Sequence, residues 1–117
     1  VDDNEDAAQA IAVLLQLEGH QVRTAGTARA ALALLDEFIP DAGILDIGLP
    51  DMDGYELARA LRADPRCARI RLIALTGYGR DPDHHLALQA GFDKHLVKPA
   101  EPEDVLAALA VNADFAG

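Results

Sequence analysis

The chain alternates short aliphatic segments with helical segments of about 10–15 residues, and this alternation constrains its fold more than any other feature. Parallel strands that are joined by single helices need right-handed crossovers, which place helices on both faces of the sheet. No repeat, low-complexity stretch or linker divides the 117 residues. The sequence therefore predicts a single α/β domain with a doubly wound parallel sheet.

Apolar periodicity, capping residues and turn residues set the expected boundaries of these segments. Helices are predicted over residues 5–18, 28–38, 55–63 and 83–90, and a last helix is predicted to begin near Pro102. Strands are predicted over residues 21–25, 42–45, 70–75 and 94–97.

The start of the chain is unusual for a sheet of this kind. Only Val1 precedes the acidic residues Asp2 and Asp3, although a strand is needed before the first helix. We therefore expect Val1 to be the last residue of a first strand that is largely missing from this N-terminally truncated sequence. With that strand counted, the expected sheet has five strands.

Composition and charge exclude several classes of function. Half of the residues are hydrophobic, which is enough to bury a core, and the single Cys67 cannot form an internal disulfide. Twenty acidic residues against ten Lys and Arg give a net charge of −10, which repels nucleic-acid phosphates and anionic lipids. No apolar run approaches the roughly 20 residues that span a bilayer. We expect a cytoplasmic domain that neither binds nucleic acid directly nor inserts into a membrane.

Five polar residues lie at or just after the ends of hydrophobic segments: Asp2, Asp3, Asp46, Thr76 and Lys98. In open parallel sheets the functional crevice lies beyond the carboxyl ends of the strands, so these side chains are expected to converge. Neighbouring carboxylates tolerate one another only when a cation or a proton lies between them. A site with oxygen ligands alone suits Mg²⁺ or a similar hard ion such as Mn²⁺.

Four short stretches carry a resemblance to a known family. They are residues 1–4 (VDDN), 45–54 (LDIGLPDMDG), 74–77 (ALTG) and 97–99 (VKP). Taken in this order, they resemble the receiver domain of two-component response regulators, and the resemblance covers essentially the whole chain. It implies a flavodoxin-like sheet with the strand order 2-1-3-4-5.

The resemblance also implies a role for each of these polar residues. Asp46 would accept a phosphoryl group from the phosphohistidine of a histidine kinase or of a histidine phosphotransfer protein, and phosphorylation would switch partner binding. The metal ligands would be Asp3, Asp46 and the backbone carbonyl of Gly48, with Asp2 bound either directly or through a water, while Thr76 and Lys98 would hold phosphoryl oxygens. Such a domain assists its own phosphorylation and dephosphorylation and is not an enzyme with a separate substrate.

His95 departs from the family pattern, which usually has Tyr or Phe at this position. It is expected either to act with Thr76 as the switch residue or to be a partly exposed histidine on the last strand without that role.

Other functions stay open at this stage. A degenerate receiver would only bind partners. A Mg²⁺-dependent phosphatase with an aspartyl nucleophile commonly has a second Asp two residues later, where this chain has Gly48. A nucleotide- or flavin-binding module needs a Gly-rich loop, where this chain has Asp2 and Asp3. The sequence does not distinguish a stand-alone regulator from a part of a hybrid sensor kinase.

Three further residues receive structural interpretations. Asp51 and Asp53 precede Gly54 and are expected to form a turn or cap the following helix. Cys67 is expected to be an inert or exposed loop thiol.

The first helix carries apolar residues on two arcs. Ala8, Ile11, Ala12 and Leu15 are predicted to face the sheet, whereas the opposite arc holds Ala10, Val13, Leu14 and Leu17. This second arc is predicted to be a docking surface for the kinase, with homodimerisation as the alternative.

Overall fold

The computed structural model describes residues 1–77, 84–98 and 100–116, with side chains for residues 1–77, 85–98 and 100–109. Five helices are described: α1 (Glu5–Leu17), α2 (Ala28–Leu34), α3 (Gly54–Ala63), α4 (His84–Ala90) and α5 (Pro102–Ala116). Three strands are described: β1 (Ala42–Asp46), β2 (Arg71–Thr76) and β3 (Lys94–Val97). Within these residues, no helix is long and apolar enough to cross a membrane.

The sheet is parallel, with the order β1-β2-β3. Ala74 of β2 pairs with Leu45 of β1 and with His95 of β3. These strands are the predicted third, fourth and fifth segments in sequence order. The predicted α/β architecture with a parallel sheet is therefore confirmed for the described strands.

Helices cover both faces of the central strand, β2, all of whose residues are buried. Leu72 and Ala74 join a buried cluster with Leu57 of α3. Arg71 lies on the opposite face, because side chains alternate along a strand, and its Nε donates a hydrogen bond to the carbonyl of Ala108 in α5. The helices α3 and α5 therefore lie on opposite sides of β2.

The first two residues bridge β1 and the segment before α2. The Val1 nitrogen donates to the Ile44 carbonyl at 2.6 Å, and the Asp46 N–H donates to the Val1 carbonyl at 2.8 Å. On the other side, the Asp2 N–H donates to the Ala25 carbonyl at 3.0 Å. Val1 thus lies beside β1 on the edge away from β2, and no strand is assigned at this residue. That a longer strand leads into Val1 stays a prediction.

The prediction of a strand over residues 21–25 is wrong for the described structure. These residues join no ladder of the sheet. A mostly apolar cleft of about 410 Å³ lies between them and β1, and Val1 and Asp2 line it together with Ile44. A strand is defined by backbone hydrogen bonds to a neighbour, and at this position Asp2 provides a single one.

The second helix is shorter than predicted, because α2 ends at Leu34 and not at residue 38. The N–H groups of Leu35, Asp36 and Glu37 donate to carbonyls three residues earlier, which tightens the chain into a turn. The negative charges of Asp36 and Glu37 also disfavour further helix at this carboxyl end. The other described boundaries agree with the predictions to within one residue.

The start of α3 packs directly against the end of β1. The Gly54 N–H donates to the Ile47 carbonyl at 2.9 Å, and a Cβ at Gly54 would lie 2.7 Å from the carbonyl oxygen of Asp46. Only glycine permits this approach. The Asp53 carboxylate caps the helix by accepting from the Glu56 N–H at 2.8 Å, which confirms the predicted cap.

Cys67 ends a short 3₁₀ turn, Pro65–Cys67, and is fully buried and not exposed. Burial raises the pKa of its thiol, which keeps the thiol protonated and unreactive.

Candidate functional site

The carboxyl ends of the three strands bring together the predicted polar residues. Asp46 is the last residue of β1, Thr76 is the last residue of β2, and Lys98 directly follows β3. Asp2 joins them because Val1 is hydrogen-bonded beside β1. Adjacent parallel strands end at the same edge of a sheet, which explains why residues so far apart in sequence meet here.

Three carboxylates form a compact acidic cluster. One oxygen from each of Asp2, Asp3 and Asp46 lies within 4.8 Å of the others. Asp2 and Asp46 are buried, with 3% and 6% of their surface exposed, whereas Asp3 is exposed. The two buried charges repel each other strongly unless positive charge lies beside them.

Lys98 supplies that positive charge. Its Nζ lies 3.0 Å from Asp46 Oδ2 and 3.1 Å from Asp2 Oδ2. The second oxygen of each carboxylate accepts a backbone hydrogen bond, at 2.9 Å from Asn4 to Asp2 and at 3.0 Å from Gly48 to Asp46. The two carboxylates are therefore held in place from both sides.

One carboxylate oxygen in this arrangement lacks a hydrogen-bond donor among the described residues. Asp2 Oδ2 is buried and forms an ion pair with Lys98, but no donor among the described residues makes a well-directed hydrogen bond to it. A buried carboxylate oxygen beside two other carboxylates suits a hard divalent cation. The donor set therefore fits Mg²⁺ at Asp2, Asp3 and Asp46. Gly48 contacts Asp46 through its N–H, and the role of its carbonyl as a metal ligand stays a prediction.

The ionisation of the site follows from these contacts. Burial alone raises the pKa of Asp46, but hydrogen bonds from Lys98 and from the Gly48 N–H more than offset this effect and hold the pKa below its ordinary value. For Lys98, burial lowers the pKa, and the contacts with Asp46 and Asp2 outweigh burial and raise it. Near neutral pH, Asp46 is an anion and Lys98 is a cation.

Thr76 completes the edge of the sheet. Its side chain is buried, and its hydroxyl donates to the Leu96 carbonyl at 3.3 Å. Its own carbonyl accepts from the Lys98 N–H at 2.7 Å, which links the end of β2 to the residue that carries the cationic side chain.

The family model of the response regulator receiver domain matches residues 1–110. The chain belongs to this family. It is a receiver domain, a signalling module rather than a classical enzyme, and receiver domains pair with histidine kinases.

Relatives of this receiver domain differ in length. An uncharacterized 14.6 kDa protein of Leptolyngbya boryana is 37% identical over 106 residues, which are 91% of this chain and 81% of that protein. The DNA-binding response regulator MtrA of Mycobacterium tuberculosis is 33% identical over 107 residues, which are 92% of this chain but only 46% of MtrA. The receiver domain thus spans about half the length of MtrA.

Solved structures show the same fold. A CheY-like receiver domain protein from Methanospirillum hungatei has a TM-score of 0.85 at 30% identity, covering 97% of this chain and 90% of that one. The receiver domain of the sensor histidine kinase PA1611 from Pseudomonas aeruginosa has a TM-score of 0.83 at 30% identity, covering 95% and 91%. That structure holds a magnesium ion in its active-site cleft.

His95 lies in β3, the last described strand of the sheet. Its pairing with Ala74 places it on the face of the sheet that Thr76 also shares, and its side chain is half-buried. The switching role of His95 stays a prediction.

Asn4 and Asp51 make contacts near the site that were not predicted from the sequence. Asn4 caps α1 by accepting from the Ala7 N–H at 3.1 Å, and its own N–H holds Asp2. The signal for its capping role was present, because Asn directly before a helical pattern is a typical cap. Asp51 binds the start of α2, and no sequence signal connects those segments.

Proposed function

We propose that this receiver domain is a phosphoacceptor that takes a phosphoryl group from a phosphohistidine, on a histidine kinase or on a histidine phosphotransfer protein. The observation that carries the proposal is the environment of Asp46. Its buried, ionised carboxylate lies at the end of β1 with the Lys98 Nζ at 3.0 Å and two further carboxylates beside it. The phosphorylated state would select the partners of the domain.

The proposed step is a direct displacement at phosphorus. A carboxylate oxygen of Asp46 attacks, the new P–O bond forms an acyl phosphate, and the P–N bond of the phosphohistidine breaks. The electron pair of that bond stays on the imidazole nitrogen, which takes up a proton. Asp46 needs no general base, because its pKa already lies below the ordinary value.

The neighbouring residues would orient and neutralise the transferred group. Lys98 would exchange its contact with the Asp46 carboxylate for a phosphoryl oxygen, and the Thr76 hydroxyl would turn from the Leu96 carbonyl to donate to another. Mg²⁺ or Mn²⁺, held by Asp2, Asp3, Asp46 and the Gly48 carbonyl, would neutralise charge on the phosphoryl oxygens.

We further propose that residues 1–117 form a single receiver domain whose partners are proteins and not nucleic acids. The net charge of −10 supports this proposal. A homodimer is a further candidate assembly.

The test is intact-mass spectrometry after incubation with acetyl phosphate and Mg²⁺. The parent protein and the control Asp41→Asn, which changes an exposed carboxylate before β1, should each gain one phosphoryl group. Asp46→Asn should gain none, since its amide is nearly isosteric but is not a nucleophile. A modified Asp46→Asn variant would assign the acceptor elsewhere. A parent that stays unmodified, also with a phosphorylated histidine kinase, would indicate a degenerate receiver that only binds partners.

A further inference from the structure

The amino end of α2 is held by two separate parts of the chain. The N–H groups of the first three residues of a helix have no partner within the helix. In α2 the Thr27 hydroxyl accepts from the third at 3.1 Å, and the N–H of the fourth residue makes the first ordinary helical bond, to the Thr27 carbonyl, at 3.1 Å. Asp51 accepts from the first two, from Ala28 to Oδ1 at 3.0 Å and from Arg29 to Oδ2 at 3.0 Å. Two of the three capped N–H groups are therefore held by a distant loop.

That loop connects the acceptor strand to α3. At its beginning, the Ile47 N–H donates to the Leu75 carbonyl at 3.0 Å, and at its end Asp53 caps α3. Between these points, Gly48 is exposed and Leu49 is buried in the core. The two bonds of Asp51 are the polar contacts that tie the middle of the loop to another element among the described residues.

We propose that Asp51 is a positioning residue for metal binding, because its contact with α2 holds the loop that carries Gly48 in the conformation that binds Mg²⁺. This inference rests on the proposed function, which makes the Gly48 carbonyl a metal ligand. Asp51 itself does not touch the metal in this proposal. The two backbone N–H groups also lower the pKa of Asp51, so the contact is made by a carboxylate throughout the neutral range.

The coupling must act in both directions. If the contact between Asp51 and α2 raises Mg²⁺ affinity by some factor, then Mg²⁺ strengthens that contact by the same factor. The amide protons of Ala28 and Arg29 would then exchange more slowly with solvent when Mg²⁺ is bound. A cap that serves only the stability of α2 would not give this response.

The experiment compares Mg²⁺ affinity, measured by isothermal titration calorimetry, among the parent protein and three variants. Asp51→Ala removes both acceptors and should weaken binding about fivefold, at the low end of typical coupling between sites. Asp51→Asn keeps one acceptor oxygen and should fall between this variant and the parent. The matched control Thr27→Ala removes a cap from the same helix without touching the loop, and it should bind Mg²⁺ within about twofold of the parent.

Hydrogen exchange followed by NMR provides the second measurement. Saturating Mg²⁺ should slow exchange at Ala28 and Arg29 in the parent by the factor found in the titration. Asp51→Ala should show no such slowing at these two amides.

Both measurements are repeated in 1 M NaCl, where the Debye length is about 3 Å, to separate positioning from the charge of Asp51. A fivefold ratio that persists supports positioning, and one that disappears overturns it. Equal affinity in Asp51→Ala and the parent, or an equal loss in Thr27→Ala, also overturns this inference and leaves the proposed function intact. A parent that binds no Mg²⁺ overturns the metal site itself and this inference with it.

Discussion

Two cationic side chains, Arg62 and Lys98, lie at opposite ends of the same sheet and have different kinds of partners. At the amino end, the five N–H donors of Arg62 make five hydrogen bonds, to the carbonyls of Gly91, Ala68 and Ile70 and to the carboxylate of Asp93. At the carboxyl end, Lys98 faces two buried carboxylates, and one oxygen of Asp2 still lacks a directed donor.

The difference separates a structural contact from a functional one. The planar guanidinium group of Arg62 matches fixed carbonyls on several segments, and Asp93 in turn accepts from the Leu72 N–H at 2.8 Å. All the N–H donors of Arg62 are used in these hydrogen bonds, so none is left to bind a ligand. The ammonium group of Lys98 is a compact charge that can turn from one oxygen to another, and the cluster around it carries excess negative charge. The carboxyl end is therefore the end that can change partners.

The largest effect is expected from Arg62→Ala, which would remove the five donors of this side chain. The carbonyls of Ile70 and Gly91 would lose these donors and the Asp93 carboxylate would keep only the Leu72 N–H, so we expect a loss of about 3 kcal/mol in the free energy of unfolding. Urea unfolding measures this loss. The control Arg59→Ala, on an exposed position of the same helix, should change stability by less than about 0.5 kcal/mol. A loss as small as that of the control would mean that the five bonds do not hold this end together.

The second-largest effect is expected at the carboxyl end of the sheet, where acid should lower the free energy of unfolding. The pKa of Asp46 is lowered in the folded state, so its contribution to stability is present above its ordinary value of 3.8 and is lost as the pH falls through the folded value. Urea unfolding of the parent between pH 6 and pH 2 should therefore show stability that declines mainly below the ordinary pKa of 3.8, with a shallower decline in Asp46→Asn. Parallel curves for the two proteins would contradict the ionised, hydrogen-bonded state of Asp46.

A smaller effect of opposite sign is expected from Asp3→Asn. Removing one of three neighbouring carboxylates relieves repulsion, so the variant without metal should be more stable than the parent by about 0.5 kcal/mol. It should also lose most of the rise in melting temperature that millimolar Mg²⁺ gives the parent. Asp41→Asn is the control and should keep that rise. A parent that responds to Zn²⁺ but not to Mg²⁺ would contradict an all-oxygen site for a hard cation.

The smallest effect on stability is expected at a position that touches neither end of the sheet. Leu17 of α1 is 80% exposed and Val13 is 52% exposed, whereas Leu14 is half-buried, so the predicted outer arc is only partly free. Leu17→Glu should slow phosphoryl transfer from a histidine kinase while leaving acetyl phosphate labelling and stability unchanged. If Leu17→Glu reacts as fast as the parent with the kinase and with acetyl phosphate, α1 is not part of the docking surface. If the variant is slowed equally with both donors, the substitution has damaged the site.

Features that depend on neighbours along the chain could be predicted from the amino-acid sequence. Burial on both faces produces the continuous apolar run of β2, and apolar periodicity together with Pro102 marks the start of α5. The positions of Asp46, Thr76 and Lys98 at strand ends follow from the same local patterns, because each residue lies where an apolar run stops. These patterns predicted the α/β class and the edge of the sheet where the polar residues meet.

The pairing of groups that are distant in sequence became visible only in the folded structure. Residues 21–25 have a strand-like sequence but join no ladder, because backbone pairing depends on a neighbouring strand and not on local pattern. The contacts of Asp51 with α2, of Arg62 with Gly91 and of Lys98 with Asp2 join segments far apart in sequence. Their geometry depends on the packing of whole helices and strands, which a local sequence pattern does not encode.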